Sequence, residues 1–297
     1  MVDHEFGGSW TELKLSALKS YLEAYRLIFK QNEQARHFKT IYVDAFAGTG
    51  ERKVSSITTS TEPQLFLDDE LPEVDAYRKG SARIALELES PFDEYIFVDK
   101  NKEHADQLRA TIQVEYPALQ SHCHVWQGDG PEIIRELCVY QTWKQQRAVV
   151  FLDPYGMNVE WNLLRLIADT QAIDLWFLFP LGMGANRLLK RGAAPPKAFS
   201  DKLTRMFGTE DWQTAFYRES PQTEMFGEEP GLIKDASFEQ ISAFFIDRLK
   251  TIFAGVAPTT KVLLNSKNNP MYLLCFAAGN PKGAPTAVRI ANHLLGK

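Results

Sequence analysis

Short apolar segments alternate with amphipathic stretches along most of this 297-residue chain. Residues 11–30 repeat leucine and aromatic side chains at three- and four-residue steps, which predicts a helix with one apolar face and its Lys and Glu residues opposite. The apolar runs predict buried strands, and the periodic stretches between them predict helices. Strands are expected at 41–46, 95–99, 123–127, 148–153 and 173–179, and helices at 81–89, 102–115, 131–145 and 161–170.

This alternation is typical of the α/β class, with a doubly wound, mostly parallel seven-stranded sheet covered by helices on both faces. A helix at 238–253 and strands at 261–265 and 271–278 follow, and the short polar link between these strands favours a C-terminal antiparallel hairpin. Dinucleotide-binding dehydrogenases usually end in a sixth parallel strand. A reversed last strand is instead typical of the Rossmann-like class I S-adenosylmethionine-dependent methyltransferases, which this sequence resembles. We expect a single domain over 1–297, with an N-terminal helix at 11–30, a core at 38–180 and 237–297, and insertions at 51–79 and 181–236.

Composition narrows the class of protein. The formal net charge is −5, and the hydrophobic and charged fractions, 44% and 24%, are those of a globular protein. The three cysteines lack the CxxC spacing of a zinc ribbon, and the pair His122 and His124 beside Cys123 has no further ligand cluster, so we expect no metal site. No apolar run reaches the ~18–20 residues of a membrane helix. We expect a cytoplasmic protein with no membrane partner, and the mild acidity argues against a DNA-coating protein while allowing a local basic groove.

Acidic and glycine residues follow the first two predicted strands, where an open α/β sheet binds its ligands. The first strand leads into Asp44, Phe46, Gly48 and Gly50, and the second ends in Asp99. Gly50 and Asp99 are 49 positions apart, but without the 29-residue insertion 20 positions remain, the usual spacing of about 20 between a glycine turn and a ribose-binding acid. Glycine turns after strands and acids that begin turns are also common structural features.

The third and fourth predicted strands also end in acids. Asp129 lies in a Gly-Asp-Gly segment, which is compatible with an adenine contact or with an ordinary helix start. The fourth strand ends in Asp153-Pro154-Tyr155-Gly156, where the proline fixes the chain direction and the aromatic ring offers a stacking surface. A strand-end turn is the structural alternative.

The fourth segment resembles the Asp-Pro-Pro-Tyr motif of methyltransferases that modify nitrogens of nucleobases. It is closer to the Asp-Pro-Phe-Gly motif of the tRNA guanine-N2 dimethyltransferases. Relative to Asp-Pro-Pro-Tyr, the second proline is absent and the aromatic residue comes one position earlier. The resemblance implies that Asp153 and the Pro154 carbonyl accept hydrogen bonds from a target amine, that Tyr155 stacks on its base, and that Asp44 meets the amino-acid moiety of the cofactor.

The combination of motifs is similar to one family, the three-Cys-motif partner proteins. The resemblance covers residues 9–180 well and the last third loosely. It implies a methyltransferase-like fold and a partner, the radical-type, phage-associated three-cysteine protein. The matching segments are WTELKL (10–15), YL (21–22), YVDAFAGTG (42–50), GSA (80–82), FVD (97–99) and FLDPYG (151–156).

The second insertion also carries a basic run, which is compatible with phosphate contacts or with a solvated helix face. Its members are Arg187, Lys190, Arg191, Lys197, Lys202 and Arg205.

These observations predict an S-adenosylmethionine-dependent methyltransferase that acts on a nitrogen of a nucleic acid base, in DNA or RNA. The cofactor would contact Asp44, Phe46, Gly48, Gly50, Asp99 and Asp129, and the methyl acceptor would meet Asp153, Pro154 and Tyr155. Two alternatives stay open. One is a catalytically inactive methyltransferase-like partner of the three-cysteine protein. The other is a nucleotide-binding oxidoreductase, which the missing third glycine and the terminal hairpin disfavour.

Overall fold

The computed structural model describes residues 9–49, 80–154, 156–219, 232–265 and 267–297, with residues 9–13 as backbone. The insertion predicted at 51–79 lies outside the described residues. Short 3-10 turns at Pro117–His122 and Trp143–Gln145 and a π-helical turn at Leu181–Asn186 complete the regular structure of this part of the chain. Its elements are α1 (Ser9–Gln31), β1 (Lys39–Asp44), α2 (Ser81–Leu86), β2 (Glu94–Asp99), α3 (Lys102–Glu115), β3 (Cys123–Gln127), α4 (Gly130–Tyr140), β4 (Gln146–Leu152), α5 (Trp161–Asp169), β5 (Ile173–Phe179), α6 (Lys197–Phe207), α7 (Trp212–Phe216), β6 (Tyr217–Glu219), β7 (Leu232–Lys234), α8 (Phe238–Lys250), β8 (Gly255–Val256), β9 (Lys261–Leu264), β10 (Pro270–Ala278) and α9 (Ala284–Leu295).

The central sheet has the predicted architecture. Five parallel strands lie in the order β3-β2-β1-β4-β5, and β10 pairs antiparallel with β5. The short strands β8 and β9 both pair with the other edge of β10, at different points along it. The described sheet is therefore seven strands wide, and β8 and β9 together form its last position. The reversed strand inside the sheet distinguishes it from the dinucleotide-binding order 3-2-1-4-5-6. The prediction of a doubly wound, mostly parallel α/β sheet with a C-terminal antiparallel hairpin is confirmed.

Helices cover both faces because successive strand residues point to opposite sides. Tyr42 and Phe151 face the layer of α1, α2, α3 and α9, whereas Val43 and Val150 face the layer of α4, α5, α6, α7 and α8. All four of these side chains are fully buried, at 1% exposure or less. Strands that are apolar on both faces require two covering layers, and this requirement fixes the three-layer arrangement.

Two predictions about this fold need correction. The hairpin does not close the chain, because α9 follows it and packs on α1. Pro285 in its first turn and buried residues at Ala284, Ala291 and Leu295 are the sequence signals of this helix. The helix expected at 131–145 ends at Tyr140.

The second insertion contains helices and a small sheet. The π-helical turn opens it directly after β5, α6 follows, and α7 leads into the two-stranded β6–β7 ribbon. Among the described helices, none combines the length and the apolar character needed to cross a membrane.

Candidate functional site

The carboxyl ends of β1, β2 and β4 meet at one edge of the sheet. In the strand register Asp44 lies between Phe97 of β2 and Phe151 of β4. The chain that leaves β1 stays attached to both neighbours, because the amide of Ala45 donates to the Phe151 carbonyl (3.2 Å) and that of Ala47 to the Val98 carbonyl (2.9 Å). The loop after β1 is thereby fixed beside the acids that end the neighbouring strands.

The glycine turn and the acid of the second strand are joined directly. Gly48 has φ +63°, a left-handed conformation that favours glycine, and its amide donates to Oδ2 of Asp99 at 3.0 Å. Oδ1 of Asp99 accepts from the amide of Asn101 at 2.7 Å, and Nδ1 of His104 lies 3.5 Å away. The Asp99 side chain is 11% exposed. The glycine turn and Asp99 are thus in contact through Gly48, while Gly50, from which the spacing to Asp99 was counted, lies outside the described residues.

Asp129 begins the helix after the third strand. Its carboxylate accepts from the amide of Glu132 at 3.4 Å as the N-cap of α4, a long bond that uses little of its acceptor capacity. A β-carbon at Gly130 would lie 2.2 Å from the carbonyl oxygen of Ala45, so only glycine lets α4 begin against the loop after β1. Phe46 in that loop is partly buried and packs against the core on the same side.

Asp44 is completely buried, and the groups around it belong to the protein. Its Oδ1 accepts from the amide of Phe46 at 3.2 Å, the Tyr42 hydroxyl lies 3.5 Å from Oδ2, and the Ser81 hydroxyl of α2 donates to the carboxylate. Burial raises the pKa of Asp44 from 3.8 to about 6, against the lowering effect of the Ser81 and Phe46 hydrogen bonds. These contacts hold the loop after β1, and the cofactor contact of Asp44 stays a prediction.

Asp153 forms a buried ion pair that the sequence interpretation missed. Its Oδ2 lies 2.5 Å from Nζ of Lys14, and the two side chains are 8% and 0% exposed. Lys14 was expected on the solvent side of the first helix with the other Lys and Glu residues, and this expectation was wrong. The signal was available, since Lys14 shares the four- and seven-residue spacing of the buried residues Leu18 and Tyr21.

The ion pair is part of a larger electrostatic cluster. The negative charge of Asp153 raises the pKa of Asp44, and the positive charge of Lys14 lowers it. The ammonium of Lys14 also lies 5.2 Å from the centre of the Phe151 ring, within cation–π range. Lys14 therefore pairs with the buried carboxylate after β4 and its charge also acts on the buried carboxylate at the end of β1. Pro154 is buried beside them, and Tyr155 lies outside the described residues.

Known proteins resemble this chain only at the level of the fold. No family model and no curated protein matches it, so membership of the three-Cys-motif partner family stays a prediction. A Legionella pneumophila protein of the family DUF519 is 11% identical over 98% of this chain and 92% of its own, with a TM-score of 0.47. A Listeria monocytogenes protein proposed to be an S-adenosylmethionine-dependent methyltransferase is 8% identical over 86% and 98%, with a TM-score of 0.36. The methyltransferase domain of a bacterial Hen1 protein is 8% identical over 86% and 96%, with a TM-score of 0.33.

Removal of the Lys14 charge should destabilise the fold strongly. Lys14→Met leaves the Asp153 carboxylate buried without its cation, and breaking a buried pair typically costs about 3–5 kcal/mol. The matched control is Lys19→Met on the same helix, where the pair with Glu23 is half exposed and contributes less than about 1 kcal/mol. Denaturant unfolding of both variants measures the difference. Equal losses in the two variants would show that the Lys14–Asp153 pair has no special weight.

The buried Asp44 carboxyl predicts a specific pH dependence. Because its pKa is raised in the folded state, the folded protein binds more protons than the unfolded chain between about pH 4 and 6, and this group's contribution to stability falls as pH rises. Asp44→Asn removes that effect. The unfolding free energy of the variant relative to the wild type should rise by about 2.5 kcal/mol from pH 4 to pH 7. Denaturant unfolding at several pH values, with the exposed Asp106→Asn as control, measures it, and a flat difference would contradict the assignment.

Proposed function

We propose that the protein is an S-adenosylmethionine-dependent methyltransferase whose acceptor is a nitrogen of a nucleic acid base. One observation supports the proposal above all. The glycine turn with Asp99 and the Asp153-Pro154 segment project from the same sheet edge, one strand to each side of β1. A cofactor held at β1 and β2 and an acceptor held at β4 would therefore be neighbours.

The chemistry of the residues fits this cofactor. Asp99 is an acceptor for ribose hydroxyls, because an ionised carboxylate offers about four acceptor positions and backbone amides use two. Gly48 allows the left-handed turn of the loop after β1, Gly130 lets α4 begin in close contact with that loop, and Asp129 offers a further acceptor for an amine. When bound, the cofactor supplies a methyl group on a sulfonium, which a nitrogen lone pair can take while a neutral thioether is left.

The acceptor side depends on this chain's own residues. The Asp153 carboxylate and the Pro154 carbonyl would accept hydrogen bonds from the target amine, which directs the lone pair of its nitrogen towards the methyl group. The nitrogen gains a C–N bond as the C–S bond breaks, and the proton that it loses passes to solvent. Lys14 fixes the carboxylate at 2.5 Å, so the hydrogen-bond acceptor is already in place when the substrate arrives. Tyr155 is proposed to stack on the base.

The cofactor site is tested by calorimetric titration with S-adenosylmethionine and with its demethylated product. Asp99→Asn keeps the shape of the side chain but replaces an acceptor oxygen with a donor. It should weaken both affinities roughly 10- to 100-fold, since hydrogen bonds to a charged group contribute about 1.5–3 kcal/mol. Asp106→Asn, an exposed acid of α3 that pairs with Arg109, is the matched control. If the wild type bound neither compound, the proposed function would be wrong; if Asp99→Asn bound both normally, the site would lie elsewhere.

The acceptor side is tested with Asp153→Asn, which keeps the shape of the side chain but leaves the buried Lys14 ammonium without its carboxylate. Thermal unfolding of the variant is therefore measured first, and the assays are run at a temperature where it is folded. Transfer of labelled methyl groups to tRNA or DNA should fall at least 100-fold, because a preorganised polar contact to the reacting group is lost. In other enzymes, removal of one such contact lowers the rate roughly 10²- to 10³-fold. Cofactor affinity should change less than about twofold. A parallel loss of affinity and transfer would contradict the division of roles between Asp99 and Asp153.

A second candidate function has its own supporting observation. Asp153 is only 5% exposed and its charge is balanced by a buried lysine, which is an arrangement that also suits a purely structural acid. This candidate is a catalytically inactive methyltransferase-like partner of a three-cysteine radical-type protein. This candidate predicts no methyl transfer to tRNA or DNA, with or without the partner protein. It makes no demand on cofactor binding.

A further inference from the structure

A basic cleft lies at the edge of the sheet opposite the candidate site. Its volume is about 440 Å³, within the range of small-ligand sites. The end of α1, the turns that follow it and the residues that precede β1 and β2 form its walls. The cleft is therefore separated from Asp99 and Asp153 by the length of the strands.

Cations dominate the lining of the cleft. Arg26, Lys30, Arg36 and Lys39 line it together with His37, and Asp93 is the one acid of the lining. This excess of positive charge occurs in a chain whose formal net charge is −5. A local field of this kind attracts anions whatever the net charge of the whole protein.

The acid of the cleft is already engaged within the protein. Oδ2 of Asp93 accepts from the amide of Thr40 at 2.7 Å and from its hydroxyl at 2.6 Å, and it lies 3.5 Å from the Arg26 guanidinium. Lys39 is paired with Glu94. Lys30 and Arg36 are exposed and form no ion pair with any described residue, so their charges are available to a ligand.

Aromatic rings and a buried donor complete the cleft. Phe29 and Phe38 line it, and the Arg147 guanidinium lies 3.8 Å from the centre of the Phe38 ring, which holds this ring in place. The Nε of Arg26 is buried and has no acceptor among the described residues. Because this atom has no exposed surface and the Arg26 guanidinium is held by Thr40 and Asp93, Arg26 contributes positive charge to the wall of the cleft, whereas Lys30 and Arg36 offer the donors that phosphate oxygens can reach.

We propose that this cleft binds phosphate groups, through Lys30 and Arg36 at its mouth and Arg26 in its wall. The phosphate could belong to the backbone of a nucleic acid or to a free nucleotide, which share this chemistry. The inference is independent of methyl transfer, because none of the three residues belongs to the candidate site.

The basic run of the second insertion provides the matched comparison. There Lys197 pairs with Asp201 at 3.1 Å, and Arg205 pairs with Glu160 at 3.1 Å. Both side chains are at least half exposed, and they lie on α6 in the other helical layer. Lys197→Glu/Arg205→Glu therefore changes the charge of the protein by the same amount as Lys30→Glu/Arg36→Glu, at a different place.

The test is a fluorescence titration of both variants and the wild type with a labelled 12-nucleotide oligouridylate, and a calorimetric titration with AMP. The cleft variant should bind at least one ligand tenfold or more weakly than the wild type, and the α6 variant should not. For the oligonucleotide, loss of two phosphate contacts should also reduce the slope of log affinity against log salt by roughly 1.4. Thermal unfolding and the affinity for S-adenosylmethionine should be unchanged in the cleft variant, which separates this result from the fate of the methyltransferase proposal.

The outcomes are distinct. A loss for the oligonucleotide alone supports the cleft as a site for the nucleic acid backbone, and a loss for AMP supports it as a site for a free nucleotide. Equal losses in the two variants would assign binding to overall charge and overturn the proposal. Binding of neither ligand by the wild type, or unchanged binding by a folded cleft variant, would also overturn it.

Discussion

The buried ion pair between Lys14 and Asp153 is the constraint on which the candidate site depends. An ammonium and a carboxylate removed from water gain from their contact only when the geometry is good, because desolvation of each charge costs several kcal/mol. At 2.5 Å and almost no exposure, the pair restricts where α1 can lie relative to the end of β4. A buried pair is weak evidence for stability in itself, but it is a strong restriction on register, since α1 displaced by one turn would leave two charges buried alone.

The second carboxylate makes this restriction tighter. Asp44 lies at the end of the neighbouring strand and feels both charges, so the cluster has two acids and one cation within a layer of aromatic side chains. Burial raises the pKa of Asp44 to about 6, and the charge of Asp153 adds to this effect while the charge of Lys14 opposes it. Hydrogen bonds from Ser81 and Phe46 offset part of the cost, and the same bonds fix α2 and the glycine loop. Perturbed acids that also fix loops at the ligand-binding edge of a sheet are common at functional sites, and the physical reason is preorganisation.

Much of this arrangement follows from local sequence signals. The helix over 102–115 and the strand at 173–179 have the predicted bounds, because the first is strongly periodic and the second is a continuous apolar stretch. The strand at 123–127 also has the predicted bounds, but the prediction that it is buried was wrong, because β3 lies at the edge of the sheet and none of its five residues is buried. The spacing that remains without the insertion predicted the pairing of the glycine turn with Asp99, and the amide of Gly48 donates to that carboxylate. Lys14 was predicted to lie on the solvent side because the lysines of the helix were treated alike. Its partner Asp153 is 139 residues away, so the helix sequence alone does not show the ion pair. The helix α9 was missed for a related reason: small residues such as Ala284 and Ala291 give a weak apolar signal, and packing against α1 supplies the rest.

Helix α1 connects the two ends of the molecule on which the proposals rest. Lys14 contacts the acid at the carboxyl edge of the sheet, and Arg26, twelve residues later, lines the basic cleft at the other edge. At 1.5 Å per residue the two are roughly 18 Å apart along the helix, or about five nucleotide steps at 3.4 Å. A mononucleotide would therefore contact only one of these ends, whereas a polynucleotide that binds as proposed would present a base to Asp153 and a phosphate to the cleft near Arg26. Phosphate contacts carry affinity and contacts to a base carry selectivity, so the two proposals together would assign affinity to the cleft and selectivity to the edge that holds Asp153.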